Sequence, residues 1–368
     1  MKIAYVSLHW PRLNVDGVSK KILYQIHLWE SAGNAVTSYM HLHTIKNPQD
    51  LLPAKYFFYS RFKFPLLIPA REISRSVALY KLIRTLLEDK PDLIYLRWGM
   101  YAFPLQLLSQ NIPVIIEINT NDLHQHQLLG HILSTYNKYT RSTTLSMAKG
   151  LVFTTNELAK DPDFLSFSSK RIVISNGIDL EGYPFFPAPE TKIPHLAFIG
   201  TPGLPWQGVE KLIDLAEALP DIHIDIIGYD TIPGIDNIPA NVTLHGYLKT
   251  EQYQPILSQS TAAIGTISLY KKDMQEAAPL KIRECAAYGL PLILPYQDTD
   301  LHGLNCEAIL EIPNTENNIM ENTERIRDFL YQMRGKRLER KLISSSIDIN
   351  IKESARLEFF EDCVAMIN

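Results

Sequence analysis

Chemistry is concentrated between Lys271 and Leu294, where the chain reads KKDMQEAAPLKIRECAAYGLPLIL. Pro279 suits the first turn of a helix, Gly289 its end, and Pro291–Leu294 the strand that follows. Lys281 and Arg283 then fall in the first two turns, where the partial positive charge of a helix start disfavours cations. A bound anion resolves that conflict, since the amides of the helix start and the Lys281 ammonium would converge on it. Glu276 stands in the loop before the helix and Glu284 inside it, a Glu-x7-Glu spacing. Two carboxylates do not serve a phosphate directly, but both accept hydrogen bonds from sugar and ribose hydroxyls. On spacing alone, an amphipathic helix with solvated charges fits the same stretch. A second candidate is Gly17, which opens a predicted helix over Val18–Glu30 whose amides could hold an anion. The plainer reading there is a helix start capped by Asp16.

The elements that must position these residues follow one rhythm from end to end. In the first half, strands are expected at Lys2–Ser7, Ala35–Leu42, Leu93–Leu96, Pro113–Ile118, Leu151–Thr154 and Arg171–Ser175, with helices over Val18–Glu30 and Ile73–Asp89. In the second half, strands are expected at His195–Ile199, His223–Ile227, Val242–His245, Ala262–Ile267, Pro291–Leu294 and Ala308–Ile312. Helices fall between them at Gly208–Ala218, Thr250–Ser258, Pro279–Ala287 and Asn317–Gln332, with a last one near Lys352–Ile367. Apolar strands alternating with helices read as α/β parallel sheets covered on both faces. The break falls in LEGYPFFPAPETKIP, whose four prolines and lack of periodicity mark a linker. The expected organisation is therefore residues 1–180, a linker over 181–194, a second domain over 195–350, and a helix over 351–368. Ligands of such sheets bind beyond the carboxyl ends of the strands, which points to the loops after each strand and to a cleft between the domains.

Composition removes several classes. The 368 residues are 46% apolar and 21% charged, an ordinary globular balance that supports two domains. Three cysteines with no CxxC pair supply neither a disulfide framework nor a cysteine metal site, so the cytoplasm is the expected compartment. No uncharged stretch reaches the ~20 residues of a membrane span. Residues 1–180 carry 20 basic against 13 acidic residues, and residues 181–368 carry 16 against 27. No basic stripe accompanies a recognition motif, which argues against nucleic acid. The first loop, LHWPRLNVDGV, lacks the GxGxxG of an NAD or FAD site. Residues 55–90 are aromatic and carry eight basic against three acidic residues, a mixture suited either to an anionic membrane leaflet or to a core with a solvated face.

The segment EAAPLKIRECAAYGLPLI resembles the Glu-x7-Glu signature of retaining glycosyltransferases with the GT-B fold, in its SPLKxxEYxAxGxPV variant. VISNGID, FIGTPGLPWQGVEKLIDLAEAL, LHGYLKTEQYQPILSQSTAAI, YLRWGMYAF and VIIEINTND are similar to other segments of that family, in order and over essentially the whole chain. The resemblance implies two doubly wound Rossmann-like domains facing across a cleft, with the final helix crossing back to the first. It implies a nucleotide-sugar donor on the second domain and a saccharide or lipid-linked acceptor on the first, with peripheral attachment through residues 55–90. Glu284 would bind the ribose hydroxyls, Glu276 the donor sugar, and the backbone around Ala277, Ala278, Pro279 and Leu280 the sugar and distal phosphate. Tyr247 and Leu248 would flank the base, and Gly17 would let the first domain approach the diphosphate. Asn119 replaces a histidine found in many relatives, with His124 and His126 just downstream.

Two departures matter. After Gly200 the family usually places Arg and then Lys against the diphosphate, where this chain has Thr201 and Gln207. Lys281, with Lys271 or Lys272, is the expected replacement, and a transferase degenerated into a non-catalytic nucleotide-sugar binder is the alternative. No metal or cofactor is implied. Asp298-Thr299-Asp300 spells the DxD that binds a divalent cation in another transferase fold, but here it reads as a loop and cap feature.

Overall fold

The computed structural model describes residues 1–8, 17–43, 52–60, 68–109 and 112–365. The chain forms two units, Met1–Ile174 with Lys352–Asn368, and Ser175–Ile351. Asp16, most of the first loop and residues 61–67 of the basic, aromatic segment lie outside the described residues.

Unit 1 runs β1 (Lys2–Ser7), α1 (Gly17–Ser31), β2 (Ala35–His43), β3 (Lys55–Tyr59), α2 (Ile68–Asp89), β4 (Leu93–Arg97) and β5 (Val114–Ile118). It continues with α3 (Asp122–Leu129), α4 (His131–Leu145), β6 (Ala148–Phe153), α5 (Asn156–Lys160), α6 (Pro162–Leu165) and β7 (Lys170–Val173). Its seven strands are parallel in the order β3-β2-β1-β4-β5-β6-β7. Ile115 and Ile116 point to opposite faces of β5 and both are fully buried, as a sheet covered on both sides requires. Each such side chain contributes about 1.5–3 kcal/mol.

Unit 2 runs β8 (His195–Ile199), α7 (Lys211–Ala218), β9 (His223–Ile227), β10 (Val242–Leu244), α8 (Thr250–Gln259), β11 (Ala262–Ile264) and β12 (Glu276–Ala277). Then come α9 (Leu280–Ala287), β13 (Leu292–Leu294), β14 (Gln297–Asp298), β15 (Ile309–Glu311), α10 (Thr323–Gln332) and α11 (Ser344–Ile347). The main sheet is parallel in the order β10-β9-β8-β11-β13-β15, and β12 pairs with β14 beside it. Both sheets thus reverse direction once, between β1 and β4 and between β8 and β11, and the carboxyl ends at such a reversal are where doubly wound sheets take ligands.

The last helix, α12 (Ile349–Ala365), belongs to unit 1 from Lys352 onward. Glu353 accepts hydrogen bonds from Gln25 and Trp29 of α1 at 3.0 and 2.9 Å, and Phe360 packs edge-on against Trp29. A Cβ on Gly150 of β6 would stand 2.8 Å from the Phe359 ring, so glycine sets how closely this helix approaches.

The unit boundary lies after Ile174 rather than after Leu180. Residues 181–194, read as a linker from their prolines, are a packed part of unit 2. Phe186 stacks on Tyr288 with ring centroids 4.6 Å apart, and Arg340 donates to the Tyr183 carbonyl. The ring stacking of Phe186, between two of the prolines, is packing that periodicity does not reveal. The strand–helix rhythm also passes over β3, α3 and α4.

Candidate functional site

The helix start expected to hold an anion is built as follows. β12 carries Glu276, which is buried, and pairs in parallel with β14. Pro279 forms the N-cap of α9 in extended conformation, with no side-chain cap. In the first turn, the amides of Ile282 and Arg283 bond back to the Pro279 carbonyl at 3.1 and 3.2 Å. From that turn, the Lys281 ammonium donates to Thr201 Oγ1 at 2.8 Å. Thr201 follows Gly200 at the end of β8, beside the reversal of the sheet. Gly200 has no room for a side chain, because a Cβ there would lie 2.3 Å from the Tyr229 ring.

Arg283 resolves the electrostatic conflict within the protein. It is fully buried, with Nη1 and Nη2 2.8 and 2.7 Å from the two oxygens of Asp298 and Nη2 2.7 Å from Asp300. Its pKa is raised, because Asp298 and Asp300 outweigh the burial that disfavours the charge. Asp298 also accepts from the amides of Asp300 and Leu301. Of the two cations that break the dipole rule, only Lys281 is directed to the helix start, while Arg283 is a buried strut beneath it. Asn176 completes the support, donating to the Ala278 carbonyl at 2.7 Å and accepting from Arg283 at 3.0 Å. Its neighbour Gly177 lets Ile349 approach, since a Cβ there would lie 2.7 Å from the Ile349 backbone. Asn176, Asp298 and Asp300 position the loop and are absent from the sequence-based set of site residues. Their signals are the Asn-Gly of VISNGID and the Asp-x-Asp spacing.

Glu284 sits one turn further along α9. It accepts from Tyr253 on α8 at 2.7 Å and from Tyr288 at 3.2 Å, and Gln254 donates to the Tyr288 hydroxyl at 2.8 Å. Burial, reinforced by the Glu284 charge, pushes both phenols above their ordinary range, so they remain protonated donors. Lys272 lies 4.8 Å over the Trp206 ring, and burial lowers its pKa to about 8. Lys271 is engaged with Glu210 at 2.8 Å. Gln207 is buried in a short 3-10 turn, where its carbonyl accepts from the Ile267 amide. Tyr247, which is exposed, and Leu248 follow β10, separated from Thr201 by the intervening strand β9. The structure thus joins Thr201 to Lys281, puts Glu276, Ala277, Ala278, Pro279 and Leu280 on one supported loop, and leaves Tyr247 and Leu248 at the sheet edge.

Gly17, Asn119 and His124 belong to unit 1. Gly17 opens α1, Asn119 donates to the Glu117 carbonyl at 3.3 Å, and the amide of His124 is held by the N-cap residue Asn121. Around them lies a charge cluster that motif reading passes over. Glu117 on β5 is fully buried, 2.6 Å from Lys21 on α1, 2.9 Å from Arg97 at the end of β4 and 3.9 Å from Arg356 on α12. Burial alone would raise its pKa, but the three cations hold it well below the usual carboxylate range. Lys21 is lowered, chiefly by burial.

No protein-family model and no curated protein sequence matches this chain. Solved structures do. A sucrose-phosphate synthase from Thermosynechococcus elongatus matches with a TM-score of 0.73 at 14% identity, over 100% of both chains. The lipopolysaccharide outer core galactosyltransferase WaaB matches with a TM-score of 0.64 at 16% identity, over 98% of this chain and 99% of its own. Anabaena HepE in complex with UDP and glucose matches with a TM-score of 0.65 at 14% identity, over 98% and 99%. Likeness at this identity establishes architecture alone, and that architecture is the GT-B fold.

Proposed function

We propose that this protein is a glycosyltransferase that moves a hexose from a nucleotide-sugar donor to a saccharide or lipid-linked acceptor, with retention at the anomeric carbon. The observation that carries the reading is the Lys281–Thr201 contact at an uncapped helix start, on the loop that also bears Glu276. A UDP-sugar is the favoured donor and a GDP-sugar the next, since structural neighbours include complexes with UDP. The role would be in cell-surface polysaccharide or glycoconjugate synthesis, as the outer core galactosyltransferase supports.

In this reading the donor C1–O bond breaks and its electron pair leaves on the diphosphate. The acceptor oxygen bonds to C1 and gives up its proton to the departing diphosphate oxygen. Lys281 and the amides of α9 meet the charge that grows on the leaving group, a contact whose loss costs about 3–4 kcal/mol on the scale of other oxyanion donors. Glu276 holds donor-sugar hydroxyls, and Glu284 exchanges its tyrosine donors for ribose hydroxyls. Gly200, Thr201, Gln207 and Lys272 line the donor loop, and Tyr247 and Leu248 flank the base. Gly17, Asn119 and His124 are assigned to the acceptor side. Asp298 and Asp300 are committed to Arg283, which supports a mechanism that uses no metal at this loop.

Peripheral membrane contact through residues 55–90 belongs to the same proposal. Ile73, Val77 and Tyr80 are exposed at helical spacing on α2, with Lys81 and Arg84 nearby. A second reading, a nucleotide-sugar binder without transfer, is favoured by Thr201 and Gln207 standing where cations are expected. Turnover separates the two. Lys281→Met should lower kcat for UDP-sugar consumption by roughly 100–1000-fold while leaving uridine affinity unchanged. Unchanged kcat would overturn the assignment of Lys281, and nucleotide binding with no turnover in the native protein would establish the binder.

A further inference from the structure

The beginnings of the unit 2 strands carry a cluster that the donor-side reading does not use. His195 opens β8 and His223 opens β9, and the parallel register sets them side by side with ring centroids 4.8 Å apart. The same register aligns Asp225 with Ala197 on β8 and Thr243 on β10. His245 follows β10 directly. Because side chains alternate across a strand, residues 195, 223, 225, 243 and 245 share one face of the sheet. Three imidazoles converge there on one carboxylate. His195 Nδ1 lies 3.1 Å from Asp225 Oδ2, while His245 Nε2 and His223 Nε2 lie 2.8 and 3.5 Å from Oδ1. Thr243 Oγ1 stands 3.0 Å from His223 Nε2.

We propose that His195, His223 and Asp225, with His245 as fourth ligand, form a binding site for a divalent transition metal of the zinc type, which ties β10 and β9 to β8. Nitrogen and carboxylate ligands about 2.0–2.2 Å from a tetrahedral zinc ion lie roughly 3.3–3.6 Å from one another. The His223–Asp225 separation of 3.5 Å matches that spacing, the His195 and His245 contacts at 3.1 and 2.8 Å are shorter, and the donor atoms of His195, His223 and Asp225 all lie within 4.8 Å of one another. Side-chain rotation of the histidines, which are 22–30% exposed, closes the remaining gap and gives the ion an entry path. Neutral imidazole and carboxylate are the donor set that suits zinc, copper or nickel over magnesium or calcium. The site is separate from the donor loop, because the five residues from His195 to Gly200 span roughly 16 Å of strand.

The test titrates zinc chloride into chelator-treated full-length protein, followed by calorimetry and thermal unfolding. The native chain should bind one zinc ion with a rise in Tm, and magnesium should give none. His195→Asn/His223→Asn, checked for folding by circular dichroism, should lose both the binding and the Tm rise, and His245→Asn should weaken zinc at least about tenfold. Cobalt in the native chain should give tetrahedral d–d absorption without a thiolate charge-transfer band. Failure of the native chain to bind zinc stoichiometrically, an equal Tm rise in the double variant, or a thiolate band would each overturn the site.

Discussion

The same strand order occurs twice in this chain, yet the two sheet reversals are furnished in opposite ways. In unit 1, Lys21 and Arg97 stand at the reversal, and a buried carboxylate, Glu117, pairs with both, while Arg356 beside them pairs with Glu353. In unit 2, Arg283 is neutralised in the same manner by Asp298 and Asp300, but Lys281 reaches past that strut to a hydroxyl, Thr201, at an uncapped helix start. The first arrangement uses its charges to build the unit. The second uses a buried ion cluster to hold a further cation where an anion can reach it. A charge at a strand end is therefore not by itself a binding group, and what it faces decides.

The comparison is broken most forcefully at Glu117. Glu117→Gln should leave Lys21 and Arg97 without their counter-charge, while Arg356 keeps Glu353 at 2.8 Å, and cost about 3–5 kcal/mol in urea unfolding. A loss under about 1 kcal/mol would mean that the cluster is not what holds unit 1 together. Acid gives a second handle on unit 1. His41 is buried, which lowers its pKa to about 4, with Nε2 3.0 Å from the Arg75 carbonyl. Between that value and the unfolded value of about 6.5, the unfolded chain binds the extra proton, so stability falls as pH falls through this window. The loss should approach 3 kcal/mol by about pH 4, and His41→Gln should flatten it. Equal acid sensitivity of native and variant chains in equilibrium unfolding would contradict the assignment.

Unit 2 should respond in the other sense. Glu284→Gln keeps both tyrosine contacts within reach and should change stability by less than about 1 kcal/mol. Its effect belongs in nucleotide affinity. A stability loss as large as that of Glu117→Gln would erase the distinction between the two reversals.

How much of this was legible in the sequence depends on how local each signal is. The limits of β8 and β9 follow directly from HLAFI and HIDII, because an apolar run with an abrupt polar end is local information. β3 is not placed from sequence because KYFFY, half exposed at a sheet edge, fits a membrane-facing segment as well as a core strand or helix with a solvated face. The Glu-x7-Glu loop and its helix were legible, and so was the place of Lys281 in the first turn. Its partner was not, since Thr201 lies 80 residues away and is brought there by strand order. The partners of Arg283 were hidden for the same reason, its carboxylates being brought to it only once β14 pairs with β12. The histidines at 195, 223 and 245 form no short-range motif at all, and only the register of three parallel strands assembles them.

The measurement that tests the central claim most directly is calorimetric titration of UDP, with GDP and ADP alongside, into the native chain and Glu284→Ala. The account predicts one site per chain for a single nucleotide, UDP first among them, weakened at least about tenfold by Glu284→Ala in a protein that unfolds as the native one does. No binding of any of the three, or binding unchanged in Glu284→Ala, would contradict it and return the carboxyl ends of the unit 2 strands to a purely structural role.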